Sequence, residues 1–334
     1  MEEQIKKPAS ELRFNLVSKD WVVIATGRAR RPETFATQQR EKREVSEKEC
    51  FFCNITTQEK PVLEYKDEKG EWEVTVVPNK FPAFSHSDSL SERSDGIYSL
   101  MDGVGFHEVV ITRDHNKSLA EFSILQIKKV IDAYQERYLD LANEKFVNYV
   151  AIFHNHGHEA GASITHPHSQ IIAMPLIDPD LRRSINGSQT FFEKHSQCVH
   201  CKMMEADLED KQRIIFVNEK FVVLAPFASR VAFEVRIYPR EHHAYFERIK
   251  EEDKILLAEA FKEALSRLFK GMNDPAYNFF LHTAPSDGKD YNHYHWHFEI
   301  LPKTSTWAGF ELGTGIEIST VQPEEAARYL REIK

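Results

Sequence analysis

Apolar positions along the chain fall into short alternating runs broken by one long helical spacing, and the whole series then occurs a second time. Residues 12–14 and 21–25 alternate as strands around the turn formers Ser18, Lys19 and Asp20. Residues 73–77 and 105–112 read as two further strands. Between Ser118 and Asn143 the spacing changes. Ile127, Val130, Ile131, Tyr134, Tyr138 and Leu141 share one face of a helix. Residues 149–153 form a buried strand that runs into a polar, glycine-containing loop and then into His166-Pro167-His168-Ser169-Gln170. The second series has strands at 214–217, 221–225 and 232–238, and a helix with Leu257, Phe261, Leu265 and Leu268 on one face. It ends with a strand at 277–281 and the histidine-rich run 293–302.

A fixed offset makes this a repeat. His115 and His242 are 127 residues apart, and the same offset relates His166 to His293, His168 to His295 and Gln170 to His297. It also relates Val130 to Leu257 and Tyr134 to Phe261 on the two helices. The two Cys-x-x-Cys pairs are 148 apart, so about 21 extra residues lie between Cys53 and His115, and the charged loop 66–72 is the expected place for them. Self-similarity at this scale predicts an α+β fold, a duplicated unit in which an antiparallel sheet carries a main helix. The halves are residues 1–185, with the reactive segment, and 186–334.

Each half brings two cysteines and two histidines. The repeat predicts four-ligand sets Cys50, Cys53, His115, His166 and Cys198, Cys201, His242, His293. Two thiolates with two imidazoles suit tetrahedral zinc, iron being the alternative at the second set. Four protein ligands leave no open position, so both metals are expected to be structural. Each cysteine pair is expected to precede a polar loop, unlike a redox pair, which opens a helix.

Along a strand, residues two apart share a face. With His166 on metal, His168 is free to attack phosphorus and form a covalent nucleotidyl intermediate. Gln170, on the same face, can hold phosphoryl oxygens without acting as an acid. Asn155 and Ser163 on the preceding loop are suited to bind phosphate, with backbone N–H groups near Gly161. His295 is the rival nucleophile, but the loop before it lacks the Asn…Gly-Ala-Ser spacing. Arg28, Arg30 and Arg31 read equally as a solvated loop or an anion clamp.

A net charge of −9 argues against general nucleic-acid binding. With 41% hydrophobic and 28% charged residues the chain is globular in composition, and no apolar run reaches membrane-span length. The polar start, Met1 to Lys7, does not read as a secretory signal, so a cytoplasmic protein is expected.

These residues resemble the galactose-1-phosphate uridylyltransferase family, a branch of the histidine-triad superfamily. The likeness rests on residues 20–25 with Arg28-Ala29-Arg30-Arg31-Pro32, on Cys50-Phe51-Phe52-Cys53, on residues 114–118, on His166-Pro167-His168-Ser169-Gln170 and on residues 307–315. It implies a ping-pong reaction in which UDP-glucose gives UMP to His168, releases glucose 1-phosphate, and galactose 1-phosphate then takes the UMP. It further implies that Gln170 and Ser163 assist His168, and that Asn155, Arg28 and Arg31 hold phosphates. Val77, Asn79, Lys80 and Phe81 fall at the family's nucleoside site, Phe310 and Glu311 at its hexose site. A homodimer with sites completed across its interface is implied as well. Ala162 and Lys80 stand where better-known members have Cys and Asp. The second cysteine pair is more like a two-zinc subgroup that includes ADP-glucose phosphorylases. The alternative this implies is a phosphorylase acting on ADP-glucose and inorganic phosphate, or a sugar-nucleotide hydrolase of the same superfamily.

Overall fold

The computed structural model describes residues 10–25, 32–37, 40, 45–55 and 58–333. Its elements run β1 (Glu11–Phe14), β2 (Trp21–Ile24), α1 (Pro32–Ala36), β3 (Leu63–Lys66), β4 (Trp72–Pro78), β5 (Glu92–Asp95), β6 (Tyr98–Met101) and β7 (Phe106–Thr112). They continue with α2 (Ile124–Ala142), β8 (Tyr149–His156), β9 (His168–Met174), α3 (Pro179–His195), α4 (Val199–Asp210), β10 (Ile214–Val217), β11 (Phe221–Leu224) and β12 (Val235–Pro239). The chain closes with α5 (Glu251–Gly271), β13 (Tyr277–His282), β14 (His297–Pro302), α6 (Gly309–Thr314), β15 (Ile318–Ser319) and α7 (Pro323–Glu332).

The duplication is visible as one ten-stranded sheet of order β10-β11-β12-β14-β13-β8-β9-β7-β4-β3. Each half contributes five strands in mirrored order, and antiparallel pairing of β8 with β13 joins them. One face is covered by α2 and α5, whose apolar stripes form a single core with Val76, Val110, Ile152, Ile171, Val223, Phe279 and Phe298. The spacing that predicts the helices explains this. Ile127, Val130, Ile131, Tyr134, Tyr138 and Leu141 are all buried on α2. A capping box starts α2, Ser123 and Gln126 each accepting from the other's backbone N–H. No helix among the described residues is long and apolar enough to cross a membrane.

Two features differ from expectation. The extra residues of the first half do not lie in the 66–72 loop. They lie mainly after β4, where residues 79–105 carry the β5–β6 hairpin, whereas only residues 225–234 separate β11 from β12. The second cysteine pair does open a helix, Cys198 being the N-cap of α4.

Arg137 pins α2 to the sheet. It donates to both oxygens of Glu108 on β7, at 2.8 and 2.7 Å, and both side chains are buried. Arg137→Ala leaves that carboxylate buried and unpaired, and is expected to cost about 3–5 kcal/mol in denaturant unfolding. Glu108→Leu combined with Arg137→Met should recover most of the loss. A cost below about 1 kcal/mol for the single variant would mean that water reaches Glu108.

Candidate active site and metal centres

Three segments of the first half meet beside the sheet. Cys50 and Cys53 come from the loop before β3, His115 from the turn after β7 and His166 from the approach to β9. Their donor atoms lie within 4.8 Å of one another. Cys50 Sγ and Cys53 Sγ are each 3.5 Å from His166 Nδ1, Cys53 Sγ is 3.2 Å from His115 Nδ1, and the two Nδ1 atoms are 3.2 Å apart. Ligands about 2.0–2.3 Å from a central ion in a tetrahedron stand about 3.3–3.8 Å from one another, so this set fits a four-coordinate metal. The outer nitrogens support it. His115 Nε2 bonds the Val45 carbonyl at 2.7 Å and His166 Nε2 the Thr112 carbonyl at 2.6 Å, so each Nδ1 keeps its lone pair for the shared centre. Burial lowers His166 to about 4, which keeps it neutral. Burial and the neighbouring Cys50 push the Cys53 thiol up to about 12, a charge penalty that a cation relieves.

His168 opens β9 two residues beyond the ligand His166. Ser169, Ile171 and Ala173 are buried, Ser169 bonding Tyr134 of α2, so His168 and Gln170 project to the opposite face. His168 Nδ1 lies 2.9 Å from the carbonyl oxygen of His166. A carbonyl only accepts, so Nδ1 carries the proton and Nε2 the lone pair. Burial lowers the pKa, with the His166 carbonyl opposing, and Phe52 meets the ring edge-on at 4.9 Å. Gln170 Oε1 is 2.8 Å from His107 Nε2. Asn155 lies near the end of β8 rather than on the loop expected for it, and there pairs with Asn278 of β13. It accepts from the Asn278 side chain at 2.7 Å, and Asn278 also bonds the Ala160 carbonyl of the loop that follows. Gly161 has φ +88°, a left-handed conformation that glycine adopts without strain. Ser163 is exposed on this loop.

The remaining site expectations divide. Arg28 and Arg31 lie outside the described residues. Val77 is buried with Cys50, Phe52, Val109 and Ile111, which places the end of β4 against the metal loop. Asn79 Oδ1 accepts from Phe81 N–H, Lys80 lies over the Phe51 ring at 5.6 Å, and Phe81 is 80% exposed. Phe310 and Glu311 are on α6. Glu311 lines a cavity of about 320 Å³ with Arg236, His297 and Glu299 of its own half and with Asn15 and Asp180 of the first, rather than one with His168.

The second metal set needs one correction. The fourth donor that converges is His295, not His293. Cys198, Cys201, His242 and His295 converge, with Cys201 Sγ 3.4 Å from both Nδ1 atoms. His242 Nε2 and His295 Nε2 bond the Asn292 and Pro239 carbonyls, as in the first set. His293 sits in the turn before β14, outside the set. The offset of 127 holds from β7 through β8 and fails at the next loop. Phe153 pairs with Gln170 but Phe280 with Glu299, so the second loop is two residues longer. The counterpart of His168 is therefore His297, whose Nδ1 contacts the His295 carbonyl at 3.1 Å, and the counterpart of Gln170 is Glu299.

That second face is chemically different. Arg236 pairs with Glu234 and Glu299, each at 2.8 Å, and Arg230 takes the other Glu299 oxygen. Burial would raise Glu299, but the two guanidinium groups hold it down to about 2. His282, His297 and Glu299 come close enough to hold an ion. Both Glu299 oxygens are nevertheless engaged by arginines, whose charges already supply what a cation would bring.

Sequence reasoning missed His107, Phe52 and the His297–Glu299 pair. A polar residue alternating with Val109 and Ile111 on an apolar strand face was the available signal for His107.

A family model described as galactose-1-phosphate uridyl transferase, N-terminal domain, matches residues 1–177, and a domain of unknown function (DUF4921) matches residues 98–332. The chain is 30% identical to ADP-glucose phosphorylase of Arabidopsis thaliana, over 99% of this chain and 95% of that protein. It is also 30% identical to galactose-1-phosphate uridylyltransferase of Thermotoga maritima, over 96% of this chain and 98% of that one. The crystal structure of an Arabidopsis thaliana ADP-glucose phosphorylase with bound ADP-glucose superposes with a TM-score of 0.80 at 28% identity, covering 97% of this chain and 99% of that one. With these matches spanning both halves and the His-Pro-His-Ser-Gln strand in place, the chain belongs to the galactose-1-phosphate uridylyltransferase family.

Proposed function

We propose that the chain is a nucleotidyltransferase that moves a nucleoside monophosphate from a sugar nucleotide to a phosphate-bearing acceptor through a covalent nucleotidyl-His168. The observation that carries this is the tautomer of His168. With Nδ1–H fixed on the His166 carbonyl, Nε2 keeps its lone pair on a neutral ring. Nε2 attacks the α-phosphorus of UDP-glucose. The P–N bond forms as the P–O bond to the β-phosphate breaks, and glucose 1-phosphate leaves with the bridging oxygen and its electron pair. Galactose 1-phosphate then attacks the same phosphorus, and the P–N pair returns to Nε2. Gln170, Ser163 and Asn155 bind phosphoryl oxygens, as do Arg28 and Arg31. Val77, Asn79, Lys80 and Phe81 hold the nucleoside.

Zinc at both Cys2His2 sets ties the loops to the sheet and takes no part in bond making. Residues 1–185 are the catalytic half, with 186–334 as its counterpart. Phe310 and Glu311 serve His168 from a second copy, in a homodimer; the absence of His168 from the cavity that Glu311 lines supports this. Reduced thiols in both sets suit the cytoplasm. A second reading, ADP-glucose with inorganic phosphate as acceptor, is favoured by the second Cys2His2 set and by the likeness to the Arabidopsis enzyme.

The test is incubation with UDP-glucose or ADP-glucose labelled at the α-phosphorus, followed by denaturation. Acid-labile label from UDP-glucose supports uridylyl transfer. Label from ADP-glucose selects the second reading, and no covalent label from either overturns the proposal. The pH dependence has a definite sign. The reactive ring is neutral and burial favours that form, so labelling should be flat above the ordinary imidazole value of about 6.5. It should fall only at lower pH, as His168 protonates. A rate that already drops between pH 8 and 7 would contradict a buried neutral nucleophile.

A further inference from the structure

His107 lies on β7, two residues from Val109, which pairs with Gln170 on β9. Its side chain therefore emerges on the face that carries Gln170. Three contacts fix what it does there. The backbone N–H of Ala83 points at His107 Nδ1 at 3.1 Å, and a backbone N–H can only donate. Nδ1 is thus the acceptor, and the ring proton sits on Nε2. Burial lowers the pKa of His107, with Gln170 opposing, so the ring carries a single proton. Nε2–H then has Gln170 Oε1 as its acceptor at 2.8 Å. Asn79 Nδ2 also approaches Nε2, at 3.1 Å, with its Oδ1 held by the Phe81 N–H. With the ring proton on Nε2 that approach is donor to donor and makes no hydrogen bond, so the fixed Ala83 N–H decides the tautomer.

From this chain of donors and acceptors we infer that His107 is a positioning residue that locks the Gln170 amide with its oxygen turned away from His168 and its NH2 toward the transferred phosphoryl group. The inference rests on the nucleotidyl-His168 reading and says how that site keeps Gln170 a donor. A glutamine amide free to rotate has an orientation that presents its oxygen to the phosphoryl oxygens, and there acceptor faces acceptor. The second half carries no such relay. By strand register its counterparts of His107 and Gln170 are Glu234 and Glu299, both held by Arg236. The His107–Gln170 pair is therefore confined to the half that keeps the proposed nucleophile.

The test measures single-turnover labelling of His168 in the full-length protein, with whichever of the two sugar nucleotides labels the wild type. His107→Leu should lower the labelling rate about 10- to 100-fold, less than or equal to the loss from Gln170→Ala, since removing one transition-state donor costs about 10²–10³-fold. The substrate concentration for half-maximal rate should move by less than about threefold. His107→Gln should restore part of the rate, because its amide can place an N–H near the Nε2 position. In a Gln170→Ala background, His107→Leu should have no further effect. Independent, multiplying losses from His107→Leu and Gln170→Ala would overturn the inference. So would a loss confined to substrate affinity, or no recovery with His107→Gln at unchanged melting temperature and metal content. If the wild type takes no label, it is the underlying reading that fails.

Discussion

His168→Ala is expected to abolish covalent labelling and to lower turnover by at least about 10⁴-fold, while the protein keeps two equivalents of metal. Among the described histidines near this strand, none is placed to take over. His166 offers Nδ1 to the Cys50–Cys53–His115 set and its Nε2 to Thr112, so neither nitrogen is free. His154 points to the helix-covered face, where its Nδ1 meets Ser169. His107 is committed to Ala83 and Gln170. The fold should tolerate the loss, because the His168 side chain makes one hydrogen bond, to the His166 carbonyl, and its ring meets that of Phe52 edge-on. Metal analysis and turnover on the same preparation check both halves of the expectation. Metal released together with activity would mean that His168, not His166, is the ligand. As a control, His297→Ala should leave labelling intact, since His297 faces Tyr238, His200 and His282 rather than the site on β9.

The contrast between His168 and His297 shows what the residues disclose and where they fall silent. The duplicated sheet-and-helix unit was legible because an apolar stripe can be buried only one way, and both α2 and α5 carry theirs at the same offset as β8 and β13. The first metal set was legible because four ligand types stood at unambiguous places. The second was misread by two residues, for a specific physical reason. His293, His295 and His297 recur every second position, and strand side chains alternate with a period of two. A slip of two residues therefore preserves which histidines share a face, and only loop length distinguishes the alternatives. Loop length is set by how the chain crosses between strands, which side-chain chemistry does not reveal. The insertion was misplaced for a related reason. The β5 residues Glu92–Asp95 are all exposed, so the hairpin carries no buried alternation to mark it. Helix α3 escaped notice because few of its positions, Leu181 and Ile185 among them, are buried apolar residues.

Removing each metal in turn should separate structure from chemistry. Cys53→Ser is expected to lose one metal equivalent and to lower the labelling rate by about 10- to 100-fold, as disturbing groups that orient a site does. The reason is local. His168 is aligned by the carbonyl of His166 and by Phe52, and both belong to segments that the first set ties together. Freeing His166 lets the start of β9 move, and Nε2 loses its aim at phosphorus, which costs rate even when substrate still binds. Cys201→Ser is expected to lose the other equivalent. It should lower the melting temperature by roughly 5 °C, because a structural metal contributes folding energy, with labelling of the folded fraction changed less than about threefold. The second set stands beside His297, and there the neighbouring carboxylates are already neutralised by Arg230 and Arg236. Metal content, melting temperature and single-turnover rate on the two variants decide the matter. Equal loss of rate in both would show that the halves act as one catalytic unit, and that the arginine-filled face takes part in positioning substrate.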